Sequence, residues 1–125
     1  MLARIDQASA DIAAVEAKTE EAIAPFAQAV DQLDGICGVG RAAAQVIIAE
    51  IGTDMGRFPT PGHLVSWARF APGVKESAGK RKGKATTGHG NPYLARVLGE
   101  AAVAAGRTNT FLGAWCLLVL APIRP

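Results

Sequence analysis

Aromatic residues are scarce: four Phe, two Trp and one Tyr in 125 residues. A large aromatic core is excluded, so whatever core forms must be thin and mostly aliphatic. Cysteine is scarcer still. Cys37 and Cys116 stand far apart and fit no metal-ligand spacing, which makes a reduced, cytosolic protein the expectation. The apolar stretch from Phe111 to Ile123 falls short of the ~20 residues a membrane helix needs. Arg4 and Asp6 interrupt the first apolar residues, so no secretory leader opens the chain. Beyond residue 34 the only carboxylates are Glu50, Asp54, Glu76 and Glu100, without paired spacing. That excludes a two-metal nuclease centre within this chain, since such a centre needs several convergent carboxylates. A phosphate-binding P-loop is also excluded. Five residues separate Gly73 from Gly79-Lys80 where that motif has about four, and Arg81 stands where Ser or Thr is required.

What is present is alanine, and charge of uneven placement. Half the residues are apolar, many of them Ala, with Gly and Pro breaks between. This composition favours short packed helices over sheet. Residues 1–34 carry Arg4 and Lys18 against Asp6, Asp11, Glu16, Glu20, Glu21, Asp31 and Asp34, a net −5 in a chain of net +2. The remainder is therefore +7. From Lys75 to Arg96, six basic residues face Glu76 alone. An acidic scaffold joined to a basic face suggests a polyanion as partner; a solvated charged loop is the plainer alternative.

Leu2, Ser9, Glu16, Ile23 and Val30 recur every seven residues, as do Ile5, Ile12, Thr19, Phe26 and Leu33. They form the a and d positions of a faulted heptad pattern, so residues 1–33 read as a coiled-coil-type helical segment. Pro25 should kink or restart this helix. Next comes Ile36-Cys37-Gly38-Val39-Gly40, followed by a helical pattern with Ala43, Ala44, Ile47, Ile48 and Ile51 on or near one face and Gly52 as its stop. Thr60 and Pro61 start a further helix, with Leu64, Trp67, Ala68 and Ala71 as its apolar stripe and Pro72-Gly73 as its end. Residues 73–91 hold five glycines and the basic cluster and read as a loop or irregular hairpin. Asn91 and Pro92 start the next helix, which would bury Leu94, Leu98, Ala101, Ala102 and Ala105. No internal repeat is present.

Three features carry chemistry. Gly38 and Gly40 give the apolar–x–Gly–apolar–Gly pattern of a helix-hairpin-helix. In that module the glycine backbone passes close to a phosphate and the amides of the following helix face it, with Arg41 adding charge. It grips the DNA backbone without reading sequence; a plain glycine turn between packed helices is the alternative. Second, Lys80, Arg81, Lys82 and Lys84 form a cluster suited to salt-dependent phosphate binding. Third, Ser77 precedes that cluster. The nearby cations can stabilise a phosphorane-like transition state, and His89 is the one candidate base in the segment. On local chemistry alone, a serine here more often makes a turn.

The order of these segments, "LDGICGVGRAAAQVIIAEIG", "RFPTPGHLVSWARFAPGVKESAGKRKGKATTGHGNPYLARVLGEAA" and "GRTNTFLGA", resembles the C-terminal transposase domain of the DEDD insertion-sequence transposases. These are serine recombinases guided by a bridge RNA. The resemblance spans about residues 30–114 and is most specific from Trp67 through Ser77 to Gly90-Asn91-Pro92-Tyr93-Leu94. In that family an N-terminal RuvC-like domain carries four acidic residues that bind magnesium, a coiled coil follows, and the C-terminal domain supplies a serine that attacks DNA. The family's serine stretch corresponds to Glu76-Ser77-Ala78, so the resemblance gives Ser77 the nucleophile role. It gives the basic-loop role to Lys80, Arg81, Lys82 and Lys84. Two local features depart from the pattern. Ala95 stands where a basic residue follows the leucine equivalent to Leu94, with Arg96 next. After "TNTFLGA" the sequence reads "WCLLVLAPIRP" in place of aromatic and arginine-rich helix.

The expectation is an all-α fold: a long coiled-coil-type helix over 1–33, a compact helical domain containing a helix-hairpin-helix over 34–114, and an atypical apolar tail over 115–125. The implied function is the DNA-binding and serine-nucleophile portion of a transposase, in a piece lacking the RuvC-like half and its magnesium. No metal site or cofactor is expected in this chain. Ser77 is the catalytic candidate; Gly38, Gly40, Arg41, Lys80, Arg81, Lys82, Lys84 and Arg96 are the DNA-binding candidates. DNA is the expected partner, with a structured guide RNA and self-association through the N-terminal helix implied, no membrane, and a cytoplasmic, nucleoid-associated location. The alternatives are a non-catalytic helix-hairpin-helix module and an inert remnant whose apolar tail promotes aggregation.

Overall fold

A computed structural model describes residues 1–73, 76–77, 79–81 and 87–120, with backbone alone at 76–77, 80–81 and 119–120. The fold is all-α. Helix α1 runs over Leu2–Ile23, α2 over Ala27–Asp34, α3 over Arg41–Ile51, α4 over Pro61–Trp67, α5 over Pro92–Gly106 and α6 over Phe111–Leu120. Short 3-10 turns occupy Ala24–Phe26 and Met55–Arg57, and an antiparallel ladder pairs Glu76–Ser77 (β1) with Lys80–Arg81 (β2).

Pro25 acts as expected. It sits at the start of the 3-10 turn that ends α1, and α2 begins two residues later. Helix α2 then packs on α3, and α3 on α5. One apolar cluster joins Ile23, Val30, Ala44 and Ile48; a second joins Ile47, Ile51, Ala68 and Leu94. Leu33 and Val39 touch both, so α3 is the spine of the molecule. Val30 and Leu94 are fully buried, each contributing about 1.5–3 kcal/mol of transfer free energy. The α3 stripe lies where the sequence places it, with Ala43 half-buried. On α5, Leu94, Ala101 and Ala105 are buried and Leu98 is half-buried, but Ala102 is exposed.

Asn91 caps α5 as its identity predicts: its Oδ1 accepts from the amides of Tyr93 and Leu94 at 2.9 and 3.1 Å. Its Nδ2 donates to Glu50 Oε2 on α3, tying the cap to the spine. Thr60 stands at the N-terminus of α4, but its hydroxyl meets His63 Nδ1 at 2.7 Å instead of a backbone amide. Helix α4 also ends well before Pro72. Arg69 adopts φ 58°, and the amides of Arg69 and Phe70 turn back to the carbonyls of Ser66 and Val65. This is the hydrogen-bond pattern that closes a helix with a left-handed residue, normally glycine. Trp67 is accordingly half-exposed, stacked edge-on against Phe58, and Ala71 is exposed. Helix α6 runs unbroken across the change in composition after Ala114, with Phe111, Trp115, Leu117 and Leu118 exposed.

Candidate nucleic-acid interface

The turn between α2 and α3 carries the two hairpin glycines, and they do different things. Gly38 has φ 92°, and a Cβ built on it would lie 2.4 Å from the Ala101 carbonyl oxygen and 2.8 Å from the Ala105 amide nitrogen. Its backbone lies against α5, so Gly38 fixes the turn to the core. Gly40 is the N-cap of α3, extended at φ −89°, exposed, with nothing within 4 Å of its would-be Cβ. The open side of the turn is thus at Gly40, where the first amides of α3 have no intrahelical partner and the helix dipole favours an anion. Cys37 Sγ donates to Thr108 Oγ1 at 3.2 Å, which pins the turn to the α5–α6 connection as well.

Arg41, the first residue of α3, does not stand free. Its guanidinium meets Glu20 of α1 at 3.0 Å and Asp31 of α2 at 3.6 Å, and Gln45 donates to Glu20 at 3.0 Å. The Arg41 hydrogen bond, then that of Gln45, holds the Glu20 carboxyl below its ordinary value near 4.5. Glu20 in turn raises Arg41. A carboxylate lowered on folding contributes stability that is full above the ordinary carboxylate range and lost as pH falls through the lowered value. Glu20→Gln is therefore expected to flatten the acid limb of stability below about pH 5, read by thermal melts across pH. Both groups are about half exposed, so this is a surface ion pair of small energetic worth.

Ser77 and Lys80 face each other in the β1–β2 register, with Gly79 at φ 72° in the turn between them. The strand pairing puts the Ser77 backbone at the turn of a tight hairpin with Lys80 and Arg81 on its second strand. Lys82 and Lys84 lie outside the described residues. Arg96 is paired with Glu100 at 3.0 Å and shares an outward surface with Val103 and Arg107. His89 is exposed.

The ends of the segment bearing Ser77 are brought together. A Cβ on Gly90 would stand 2.0 Å from the Ala68 carbonyl oxygen, and one on Gly88 3.3 Å from Arg69 Cδ. The chain thus leaves α4 at Ala68-Arg69 and returns past the same two residues at 88–90. Among the described residues no three His, Cys, Asp or Glu side chains converge. No described helix is long and apolar enough to cross a membrane.

The sequence does not reveal Glu20 and Asp31 as partners of Arg41, since they lie on other helices, nor Gln45 as a second donor to Glu20. Nor does it reveal Arg69, where the signal is the hydrogen-bond pattern and not the residue type. Residues 30–114 match the model of the family described as Transposase IS116/IS110/IS902 family. No curated protein and no solved structure is significantly similar to the chain.

Proposed function

The chain belongs to the IS116/IS110/IS902 transposase family, and from that premise we propose that it is the DNA-gripping and serine-nucleophile portion of an insertion-sequence transposase. The observation that carries the reading is the pairing, inside the matched region, of an anion-ready helix start at Gly40 with a tight hairpin holding Ser77 beside Lys80 and Arg81. Helices α2 and α3 with their glycine turn act as a helix-hairpin-helix. Gly38 anchors the turn, Gly40 and the α3 amides receive a backbone phosphate, and Arg41 exchanges Glu20 for it.

Ser77 Oγ attacks the phosphorus of a scissile phosphodiester. An Oγ–P bond forms as the bond to one strand end breaks, and that end leaves as a hydroxyl carrying the proton that the Ser77 Oγ gives up. The basic segment Lys80–Lys84 stabilises the added negative charge. Attack by a strand-end hydroxyl on the Ser77–phosphate linkage reverses the step and releases the serine. The resemblance assigns the metal to a RuvC-like partner domain, so no step of this chain runs through it. Exposed Leu2, Ile5 and Ile12 on α1 support self-association through that helix. A guide RNA rests on the resemblance alone. A cytoplasmic, nucleoid-associated location follows from DNA as substrate.

Fluorescence anisotropy with two duplexes of unrelated sequence tests the gripping role. The affinities should agree within about twofold and fall steeply with salt. Gly40→Ala should leave the melting temperature unchanged, as its Cβ meets open space, yet weaken binding about three- to tenfold by blocking phosphate approach. Equal binding by wild type and Gly40→Ala places the DNA elsewhere.

A further inference from the structure

Arg69 is the only described residue other than glycine with a positive φ, at 58°. It occupies the position after the α4 C-cap, where the amides of Arg69 and Phe70 bond Ser66 and Val65 carbonyls at 3.1 and 3.0 Å. Glycine takes this conformation without a Cβ clash; an L-residue does so with strain. An unbranched cation held in a strained conformation needs something that retains it there.

The side-chain stem of Arg69 is braced. Its Cδ, Cβ and Cγ lie 3.3, 3.4 and 3.8 Å from where a Cβ on Gly88 would stand, and its Cβ lies 3.5 Å from the corresponding point on Gly90. Two glycines therefore leave a trough that the aliphatic stem occupies, while the residue as a whole remains exposed. That trough lies where the segment bearing Ser77 begins and ends, and the β1–β2 hairpin lies between those ends. A guanidinium carried there offers planar, permanently charged donors suited to a phosphate.

We propose that Arg69 is a phosphate-contacting residue, a fixed cation at the foot of the Ser77 hairpin that holds the DNA backbone there. This rests on the DNA-gripping reading above and adds to it a contact that lies on neither the glycine turn nor the basic cluster.

The test uses the full chain, thermal melts, and anisotropy titrations with a labelled DNA duplex of arbitrary sequence over a range of salt. Arg69→Gly relieves the strain and removes the charge. Its melting temperature is expected to rise about 3–6 °C, while its affinity falls about three- to tenfold and its salt slope shrinks by about one. Arg69→Lys keeps the charge and the strain and should retain the wild-type slope; Arg69→Gln keeps the strain alone and should lose it. Opposite movements of stability and affinity are what a merely structural residue does not give. An Arg69→Gly chain that binds with wild-type affinity and slope overturns the proposal. So does an Arg69→Gly chain that melts lower and loses binding in proportion, which would make Arg69 a stabiliser of the α4 end. Absence of salt-dependent binding by the wild type overturns the DNA-gripping reading beneath it, a result distinct from both.

Discussion

Gly38→Ala is expected to lower stability by about 2–5 kcal/mol, the sum of a left-handed backbone penalty and a forced displacement of packed elements. The added methyl would meet the Ala101 carbonyl at 2.4 Å and the Ala105 amide at 2.8 Å, both of them backbone atoms of α5. Neither can rotate away as a flexible side chain would. The turn must lift off α5, which breaks the contact between Cys37 and Thr108 and loosens Val39 from both apolar clusters. A domain of ordinary stability has only about 5–15 kcal/mol to lose. The melting midpoint should fall by 10 °C or more, on the order of several degrees per kcal/mol. Circular dichroism at 222 nm, a wavelength that reports roughly on helix content, measures it. A midpoint within about 2 °C of wild type would mean the turn does not rest on α5. The contrast with Gly40→Ala is informative because the two glycines are neighbours in one motif and face opposite ways.

The second large effect is chemical. In a complete transposase carrying this domain, Ser77→Ala should abolish the covalent protein–DNA intermediate and reduce recombination by at least about 10³-fold, since nothing else on the hairpin replaces a lost nucleophile. DNA affinity should stay within about twofold of wild type, because a hydroxyl contributes no charge to phosphate binding. Denaturing gels resolve the intermediate, and a recombination assay reads the product. Recombination that persists in the Ser77→Ala protein would refute the nucleophile role and favour the non-catalytic binding module. Loss of both binding and recombination would assign Ser77 to the shape of the hairpin turn.

The sequence specifies its elements most directly where the chemistry is local. Pro25 ends α1 because it cannot donate to the preceding turn. Asn91 and Pro92 start α5 because a short polar side chain accepts the first free amides and Pro needs no partner there. The expectation failed where one residue type overrode its own preference. Arginine in a left-handed conformation is not visible in a sequence, so the pattern of residues points to a stop at Pro72 whereas α4 closes at Trp67. The hairpin glycines were legible as a pair but not as a division of labour, because only the position of α5 distinguishes Gly38 from Gly40. Likewise the charge of Arg41 was visible, but its engagement with Glu20 and Asp31 depends on how α1 and α2 fold back over α3.

Of the long first helix only Ile23, its last residue, is buried. At 1.5 Å per residue the 22-residue helix is about 33 Å long, and nearly all of that length contributes nothing to the two apolar clusters. Its persistence therefore hangs mainly on its own helical propensity, not on the cooperativity of the rest, since the exposed ion pair at Glu20 adds little. Amide protons should exchange in a gradient along it, slowest near Ile23 and fastest near Leu2, while those of α3 exchange only with global opening. A docked second helix would erase that gradient and merge the rod into the same melting unit, so self-association would register first as a gain in cooperativity.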